Sequence, residues 1–347
     1  MTRVSHLLDD FGMGGVTRAL TLFERPELKR IASSDILQVR SNSMLAPKVE
    51  ADVIVDHMSA SWRRLPFLAS LRARNRHARI VRVEHSYTRG FELTQVKARG
   101  RFRSLLRISA QLADEVVCVS RAQREWLTGE VGLASHRVRT IYPWSGRTEL
   151  FDIDPQEGET KRPLQLLAYG RYAEVKNFAE LIVAMRSFRP EDVRLTLFGD
   201  GPQRSLLEAL AADLPHVQVF GPQDDPATWL GTCDAVILPS RYEAFGLVAT
   251  EARMAARPVI VANIDGLPEQ ARDGGIIADL SSAYEIAQAI RRAKSEPLSK
   301  LGRMARCKVR GQHKAILNDW TQLLQQGAGK RRSRAAQMPL RPRKAMV

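Results

Sequence analysis

The chain has 347 residues, of which 44% are hydrophobic and 26% charged, and its formal net charge is +15 at pH 7; the length favours two domains and the composition is that of a soluble globular protein. No apolar run reaches the roughly 20 residues that cross a bilayer, and Asp9 with Asp10 interrupts the N-terminal apolar stretch, which argues against a membrane anchor and a signal peptide. The three cysteines match no zinc-binding or disulfide spacing, so a reducing, cytoplasmic location is expected.

The excess positive charge is concentrated in two segments of the chain. Residues 61–107 contain twelve Arg and one Lys against two Glu, and residues 320–347 contain seven Lys or Arg and no acid. Localised basicity of this kind favours an anionic partner such as nucleic acid, acidic lipid headgroups or a phosphorylated acceptor. The alternative is a solvated face that serves solubility alone.

Short apolar runs alternate with helical patterns through the first half of the chain. Several runs are rich in Val and Ile and are typical of strands, whereas the segments between them place apolar residues at helical spacing. Strands that alternate with helices predict a parallel sheet covered on both faces. The predicted strands are 3–8, 35–39, 51–57, 78–85 and 114–120, and the predicted helices are 14–23, 62–76 and 101–113.

The same alternation restarts after a polar stretch, residues 151–163, which we interpret as an interdomain linker. Asn177 followed by Glu180 fits a helix start, because the asparagine can cap the first turn and the glutamate can reach back to it. The predicted strands of this half are 164–170, 193–201, 217–221, 234–240 and 257–263, and the predicted helices include 177–188 and 202–214.

Together these patterns predict an α/β fold with two Rossmann-like domains. The expected N-terminal domain is 1–155 and the expected C-terminal domain is 156–298. Helices are expected in 299–326, and one alternative is that they pack back on the N-terminal domain. The last segment, 327–347, is basic, contains two Pro and has little that could be buried, so it is expected to be disordered.

Ligands of open α/β sheets bind beyond the carboxyl ends of the strands, so residues at those ends are candidates for a site. Gly12, Gly14 and Gly15 follow the first strand, where a backbone without Cβ can approach a ligand. The loop lacks the GxGxxG spacing of a dinucleotide fingerprint, and a tight turn without a ligand is the alternative. His85 and Tyr87 follow the fourth strand, although a single histidine is more often structural than catalytic.

The second half offers a stronger candidate, an anion site. Gly170 and Arg171 end its first strand and Lys176 precedes a helix start, so two cations and free backbone amides would converge there. Two solvated surface cations are the alternative. Gly199 and Gly201 stand at the end of the next strand.

Two glutamates stand around another predicted helix start. If that helix begins near Phe245, Glu251 lies in its second turn and Glu243 remains in the preceding loop. Two carboxylates would repel a phosphate, and they are better explained as acceptors for ribose or sugar hydroxyls. For each glutamate alone, a partner for the helix dipole is the alternative.

Four segments of this half resemble motifs of the GT-B glycosyltransferases, most closely those of glycosyltransferase family 4 (glycosyltransferase group 1). The similarity is specific over 164–279 and looser in the N-terminal half, where GMGG and VEHSY occupy the positions of the family's glycine loop and active-site histidine. The four segments are EAFGLVATE, which resembles the E-x7-E signature; GRYAEVKN, which resembles G-R-x-x-x-x-K; FGDGP, which resembles G-x-G-x; and PVIVANIDGLPE, which resembles P-V-I-x5-G-x-x-E.

The resemblance implies a role for each matching residue. Glu251 would bind the ribose hydroxyls of a nucleotide-sugar, and Glu243 would face the transferred sugar. Arg171 and Lys176 would hold the diphosphate and stabilise it as it leaves, and His85 would lie near the reacting sugar across the cleft. The other implied substrate-binding positions are Gly14, Gly15, Gly170, Gly199, Gly201, Phe245, Gly246 and Leu247.

The resemblance also implies a reaction without a divalent metal or other cofactor, and usually with retention of anomeric configuration. The residues agree on the first point, because none of these four segments contains a DxD-like carboxylate pair to hold Mg²⁺ against a diphosphate.

The implied function is transfer of a hexose-type sugar from a UDP- or GDP-sugar to a glycan or to a polyprenyl- or lipid-linked acceptor. The basic stretch from Arg63 to Arg107 would dock on the inner face of the cell membrane, at roughly 1 kcal/mol per cation. A nucleotide-sugar epimerase or phosphorylase on the same scaffold is a second hypothesis. A nucleic-acid-binding protein is a third, although the basic region has few interleaved aromatic residues and no recognised binding module.

Overall fold

The computed structural model describes residues 1–9, 15–40, 42–157 and 163–336, with side chains as far as residue 326. Each half of the chain forms a six-stranded parallel sheet, and the two sheets belong to two lobes with a cleft between them. The predicted α/β fold with two Rossmann-like parallel sheets is confirmed.

The first lobe has its core on both faces of the sheet. Its strands are β1 (Thr2–Leu8), β2 (Ala32–Gln38), β3 (Val53–Asp56), β4 (Arg79–Glu84), β5 (Glu115–Cys118) and β6 (Val138–Thr140), in the order β2-β1-β3-β4-β5-β6. Its helices are α1 (Gly15–Ala19), α2 (Pro26–Lys29), α3 (Leu65–Arg74), α4 (Arg89–Gln95), α5 (Arg99–Gln111) and α6 (Arg121–Gly129). Every residue of β3, β4 and β5 is buried, as expected for strands covered on both faces.

The second lobe has the strand order of a dinucleotide-binding unit. Its strands are β7 (Leu164–Tyr169), β8 (Val193–Phe198), β9 (Val217–Phe220), β10 (Ala235–Leu238), β11 (Val259–Ala262) and β12 (Gly275–Ala278), in the order β12-β11-β10-β7-β8-β9. Its helices are α7 (Phe178–Met185), α8 (Arg204–Ala211), α9 (Pro226–Thr232), α10 (Leu247–Met254), α11 (Leu267–Ala271), α12 (Ala283–Lys294) and α13 (Leu298–Ala336). The order reverses between β7 and β10, and such a switch point opens a crevice at the carboxyl ends of the strands.

The last strand of each sheet escapes prediction. β6 has three residues, and β12 has four and follows directly on Gly274. Runs this short carry little periodicity, and a glycine pair at the start of β12 reads as a turn. The other ten strands overlap the predicted ones.

The predicted cap at the start of α7 is wrong. Asn177 has a left-handed backbone (φ 56°) and makes no capping hydrogen bond; its Nδ2 donates to the carbonyl of Leu280 at 3.0 Å. Glu180 accepts from the amide of Ala283 at 2.9 Å and so caps the start of α12 instead. Both side chains therefore join α7 to α12 rather than closing their own helix, a tertiary use that local spacing does not reveal.

Helix α13 leaves the second lobe and packs on the first. Trp320 meets the ring of Phe23 edge to face with centroids 5.1 Å apart, and the carbonyl of Leu323 accepts from Arg79 Nη1 at 3.0 Å. The helical backbone continues to Ala336 and so includes 327–336, the first part of the segment expected to be disordered; these residues are rich in Ala, Arg and Lys, which favour helix. The rest of the predicted disordered tail, 337–347, lies outside the described residues.

None of the helices in the described ranges combines the length and the apolar character that a bilayer crossing requires.

Candidate functional site

The main cleft lies between the two lobes, at the carboxyl ends of β7 and β10 where the strand order of the second sheet reverses. Its volume is about 610 Å³, within the range of about 300–1,000 Å³ that small-molecule sites occupy. The first lobe contributes the start of α1 and the turn after β4. The second lobe contributes the turns after β7, β8 and β10 and the first turns of α10.

Most of the residues predicted for the site converge on this cleft. Gly12 and Gly14 lie outside the described residues, and two described candidates, Tyr87 and Gly201, do not line the cleft. The candidates that line it are Gly15, His85, Gly170, Arg171, Lys176, Gly199, Glu243, Phe245, Gly246, Leu247 and Glu251.

Glu251 is a buried carboxylate at the floor of the cleft, with 1% of its side chain exposed. Its Oε2 accepts from the hydroxyl of Tyr169 at 2.7 Å, and its Oε1 accepts from Arg18 Nη1 at 2.8 Å. Arg147 lies 3.8 Å from the same oxygen. Burial raises the pKa of Glu251, and the neighbouring Arg18 opposes that shift. Because Arg18 belongs to the first lobe, this ion pair also joins the two lobes.

Sequence reasoning does not identify these three partners of Glu251. Tyr169 is the last residue of β7 and precedes the predicted Gly170, so its position at a strand end is the available signal. Arg18 lies in the helix that follows the glycine loop, and Arg147 lies in the connection between the lobes. Nothing in their spacing indicates that they meet a glutamate of the other half.

The two predicted cations occupy different electrostatic situations. The Nζ of Lys176 forms an ion pair with Glu243 Oε2, with 24% and 19% of the two side chains exposed. Arg171 is exposed and forms no ion pair within the described ranges. In the cleft as it stands, Arg171 therefore carries the uncompensated positive charge, while the charge of Lys176 is neutralised.

Helix α10 directs its N-terminus at the cleft. Gly246 occupies the cap position with φ 86°, and no side chain caps the helix. Phe245, Gly246 and Leu247 line the cleft at this end, where backbone amides without intrahelical acceptors and the helix dipole favour an anion. Helix α10 begins two residues later than predicted, and Glu251 still lies in its second turn.

Packing alone accounts for Gly201, and its predicted contact with a substrate stays a prediction. Its φ is 152°, and a Cβ there would lie 2.5 Å from the carbonyl oxygen of Tyr172. At Gly199 a Cβ would lie 1.9 Å from the carbonyl oxygen of Gly170. The two glycines thus let the turns after β7 and β8 pack against each other, and only Gly199 also borders the cleft.

His85 faces the cleft from the first lobe. The turn that carries it is held by Glu84, whose Oε1 accepts from the amides of Ser86 and Tyr87 at 3.0 Å each. Burial lowers the pKa of His85 to about 4, so the ring is neutral near pH 7. Its Nε2 is hydrogen-bonded to His57 Nδ1 at 3.0 Å.

Two carboxylates of the second lobe cap helices of the first. Asp265 accepts from the amide of Gly90 at 2.9 Å and from the hydroxyl of Thr88 at 2.7 Å, both at the start of α4. Glu269 accepts from the amides of Arg121 and Ala122, at 3.1 and 2.9 Å, at the start of α6. The segment from Asp265 to Glu269, predicted only as part of a family motif, therefore holds the lobes together at the edge of the cleft.

No cluster of three or more His, Cys, Asp or Glu suited to a metal ion occurs among the residues that the structure describes. The metal-independent reaction expected from the resemblance stays a prediction.

The sequence matches two family models that together span most of the chain. Residues 151–313 match the model described as glycosyl transferases group 1, and residues 17–144 match the model described as glycosyltransferase family 4.

Similar proteins include several glycosyltransferases. N-acetyl-alpha-D-glucosaminyl L-malate synthase of Bacillus anthracis is 27% identical over 230 residues, which are 62% of this chain and 60% of that protein. The lipopolysaccharide core biosynthesis glycosyltransferase LpsD of Rhizobium meliloti is 30% identical over 48% of this chain and 50% of its own length. The chain thus spans between half and three fifths of the length of these two relatives.

Solved structures share the fold of this chain. Anabaena Alr3699/HepE in complex with UDP-glucose superposes with a TM-score of 0.74 at 17% identity, covering 94% of this chain and 100% of that one. Sucrose-phosphate synthase from Thermosynechococcus elongatus superposes with a TM-score of 0.70 at 19% identity, covering 94% and 99%. The predicted GT-B architecture is confirmed at the level of the fold.

Proposed function

The chain belongs to the group 1 glycosyltransferases of the GT-B fold, and from that premise we propose that it transfers a hexose-type sugar from a UDP- or GDP-sugar to an acceptor hydroxyl. The observation that carries the proposal is that one cleft brings together an ion-paired lysine, two glutamates, an open helix N-terminus and an arginine with no ion-pair partner among the described residues. Cations and backbone amides suit a diphosphate, and carboxylates suit hydroxyl groups.

The diphosphate of the donor would lie between Arg171 and the N-terminus of α10. A bound diphosphate would compete with Glu243 for the ammonium group of Lys176, because phosphate oxygens accept charge-assisted hydrogen bonds as well as a carboxylate does. Once Lys176 turns to the phosphate, Glu243 is free to accept hydroxyl groups of the sugar. Binding of the donor would then release the carboxylate of Glu243 for the sugar, because Lys176 exchanges Glu243 for the phosphate as its partner.

Glu251 would accept the ribose hydroxyls. Tyr169 and Arg18 each occupy one of its oxygens in the structure, yet a carboxylate offers about four acceptor positions. Arg18 comes from the first lobe, so its pairing with Glu251 would respond to the approach of the lobes. Binding of the ribose and closure of the lobes would then be coupled through Arg18.

In the reaction, the bond from the anomeric carbon to the diphosphate oxygen breaks and a bond from the acceptor oxygen to that carbon forms. The acceptor proton leaves with the diphosphate or to solvent. Negative charge grows on the leaving diphosphate, and Arg171 with Lys176 would stabilise it where a metal would otherwise be needed. Only the family resemblance supports retention of the anomeric configuration.

We propose a membrane-linked acceptor, with a narrower docking surface than the sequence predicts. Several arginines in 61–107 form ion pairs within the protein, which neutralise their charge; they include Arg64, Arg72, Arg79, Arg82, Arg89 and Arg103. The surface that remains, here the basic face, combines exposed cations with exposed apolar side chains. The basic face comprises Trp62, Arg63, Leu93, Lys97, Arg99, Arg101, Arg107 and Ile108.

The basic face fits anionic lipid headgroups better than nucleic acid. Trp62 is 39% exposed and stacks with Arg101 at 5.3 Å, and Leu93 and Ile108 are 46% and 38% exposed. Apolar tips among cations suit an interface of headgroups and acyl chains. Co-sedimentation with phosphatidylglycerol vesicles at low salt should fall when Arg63 and Arg101 are changed to Glu, and an Arg194→Glu, Lys300→Glu control should bind as before. Binding to single-stranded DNA but not to vesicles would favour the nucleic-acid hypothesis instead.

A thermal-shift panel tests the donor. UDP, GDP, ADP and their sugars, each with EDTA present, should show one nucleotide that raises Tm, because a ligand of the native state stabilises it by mass action. The Arg171→Ala variant should lose most of that rise. No rise with any nucleotide would contradict the proposal, and consumption of the nucleotide-sugar without an acceptor product, or only with phosphate, would identify the epimerase or phosphorylase alternative.

A further inference from the structure

Three histidines of the first lobe form a hydrogen-bonded row that ends in the cleft. His6 lies in β1, His57 directly follows β3, and His85 directly follows β4, and these three strands are neighbours in the sheet. His6 Nδ1 lies 3.0 Å from His57 Nε2, and His57 Nδ1 lies 3.0 Å from His85 Nε2. We call these three residues the histidine row.

Each ring of the row is neutral near pH 7. Burial lowers the pKa of His6 to about 3 and that of His85 to about 4, and it holds the pKa of His57 well below its usual range. A neutral imidazole has one N–H donor and one bare nitrogen acceptor. The two hydrogen bonds therefore allow only two arrangements, in which all three rings carry the proton on Nδ1 or all three carry it on Nε2.

The buried end of the row distinguishes the two arrangements. His6 is 1% exposed, and its Nε2 has no hydrogen-bond partner in the part of the chain that the structure describes. Protons on Nε2 would leave an N–H group buried there without an acceptor, whereas protons on Nδ1 leave only a bare acceptor. Buried N–H groups without a partner are the rarer of the two in native proteins. The Nδ1 arrangement is therefore favoured.

The other end of the row is His85, whose side chain lines the cleft. Its Nε2 is occupied by His57, and its Nδ1 has no partner within the described ranges. We propose that His6 and His57 are positioning residues that hold His85 in the Nδ1–H form, so that this ring offers a neutral hydrogen-bond donor to a sugar hydroxyl in the cleft. The ligand in this inference rests on the proposed glycosyltransferase function, whereas the protonation pattern does not.

The protonation pattern can be measured on the free, full-length protein. Multiple-bond proton–nitrogen correlation NMR with isotope-labelled histidine distinguishes a protonated ring nitrogen from a bare one. We expect His6, His57 and His85 each to be protonated at Nδ1, with assignments made from single His→Gln variants. Protonation of His85 at Nε2 would overturn the proposal, whatever the activity of the protein.

Two substitutions of His57 separate positioning from a merely structural effect. In His57→Asn the amide nitrogen can still donate to His85 Nε2, whereas His57→Leu fills the space without a donor. His85 should stay in the Nδ1–H form in the first variant and become a mixture of both forms in the second. A His85 that is equally fixed in both variants would refute the role of His57.

Kinetics supply the second readout, with release of UDP from UDP-glucose as the assay. In His57→Leu, kcat should fall about tenfold, the cost of one misdirected hydrogen bond, while KM stays within about twofold. His57→Asn should restore most of kcat. His77→Leu, a change at an exposed histidine of the same lobe, should leave both parameters unchanged.

The two proposals fail separately. If the wild-type protein shows the Nδ1–H pattern but binds no nucleotide-sugar, the proposed function fails and the positioning of His85 stands. If UDP-glucose is turned over but kcat is the same in the wild-type, His57→Leu and His57→Asn proteins, the contribution of the histidine row to the reaction is refuted.

Discussion

Arg171 is the residue on which the diphosphate assignment can be tested most directly. It is exposed at the end of β7, lines the cleft and has no ion-pair partner in the described part of the chain. Its replacement by Ala therefore breaks no ion pair or side-chain hydrogen bond among the described residues, and the free energy of unfolding should change by less than about 0.5 kcal/mol. Any loss of activity then reports on the ligand alone.

The expected loss follows from the charge that develops on the leaving diphosphate. Two unit charges 4 Å apart interact by about 4 kcal/mol at an effective dielectric constant of about 20, and removal of a preorganised donor costs about 2.7–4 kcal/mol. Because Arg171 is exposed in the free protein, the lower end applies, and kcat should fall about a hundredfold in Arg171→Ala. Arg171→Lys should recover part of the lost kcat, because the positive charge remains. The recovery should be incomplete because the bidentate geometry of the guanidinium is lost.

Lys176→Ala should cost more than Arg171→Ala. This change removes the partner of Glu243 and leaves an uncompensated carboxylate beside the diphosphate, so the expected loss reaches about a thousandfold. Both variants are assayed by nucleotide release and by urea unfolding, with Arg194→Ala on the exposed face of β8 as the matched control. Near-parental turnover in both would remove these two residues from the diphosphate site.

Acid stability, strand-end packing and the contact between the lobes each give a further measurable expectation. The free energy of unfolding should fall as the pH drops below about 6.5. Burial lowers the pKa of His6 to about 3 and that of His85 to about 4 in the folded protein. Between about pH 4 and 6.5, therefore, only the unfolded chain takes up protons at these two rings. Urea titrations at about pH 7 and pH 5 measure this slope, and His6→Gln should flatten it by up to about 1.4 kcal/mol per pH unit; an unchanged slope contradicts the burial argument. Gly201→Ala should lower stability by about 1–3 kcal/mol through its strained backbone and close packing while KM for the donor stays constant, whereas a raised KM with normal stability would return this residue to the binding site. Glu269→Ala removes the acceptor of two amides at the start of α6, where Ser120 still caps the helix, and should lower stability by about 0.5–2 kcal/mol and enlarge the radius of gyration in small-angle scattering; unchanged values would show that this carboxylate does not hold the lobes.

The sequence predicts the fold and the location of the cleft because both depend on local patterns. Alternation of strands with helices indicates parallel sheets, and parallel sheets place the turns after their strands along one edge. Arg171, Lys176 and Glu243 lie in the connections that follow β7 and β10, and Glu251 lies in the second turn of α10. Their convergence on one cleft follows from that topology.

Pairings across the lobes are invisible to the same reasoning. Arg18 and Glu251 are 233 positions apart, and nothing in either neighbourhood indicates the other. The histidine row within the first lobe is equally hard to predict, since His6, His57 and His85 lie in or directly after three different strands. Its members can be recognised only when the order of β1, β3 and β4 in the sheet is known.

Local signals also mislead where a residue serves a distant element. The asparagine–glutamate pair before α7 has the spacing of a helix cap, yet both side chains bind the α12 region. Gly201 has the position of a ligand-approach glycine, yet the backbone of Tyr172 accounts for it. In the first case a tertiary contact replaces the local role that spacing suggests, and in the second a packing contact is enough to require the glycine.

The course of α13 makes the two lobes inseparable as folding units. The chain passes from the first lobe to the second near residue 150 and returns along this helix, where Leu323 and Leu324 are fully buried. A fragment that ends at residue 155 would expose the apolar surface beneath Trp320, and a fragment that begins there would leave the last turns of α13, around Trp320, without the lobe that they cover. Co-expression of the two halves should therefore yield a noncovalent complex, in which the second half supplies the missing wall of the first.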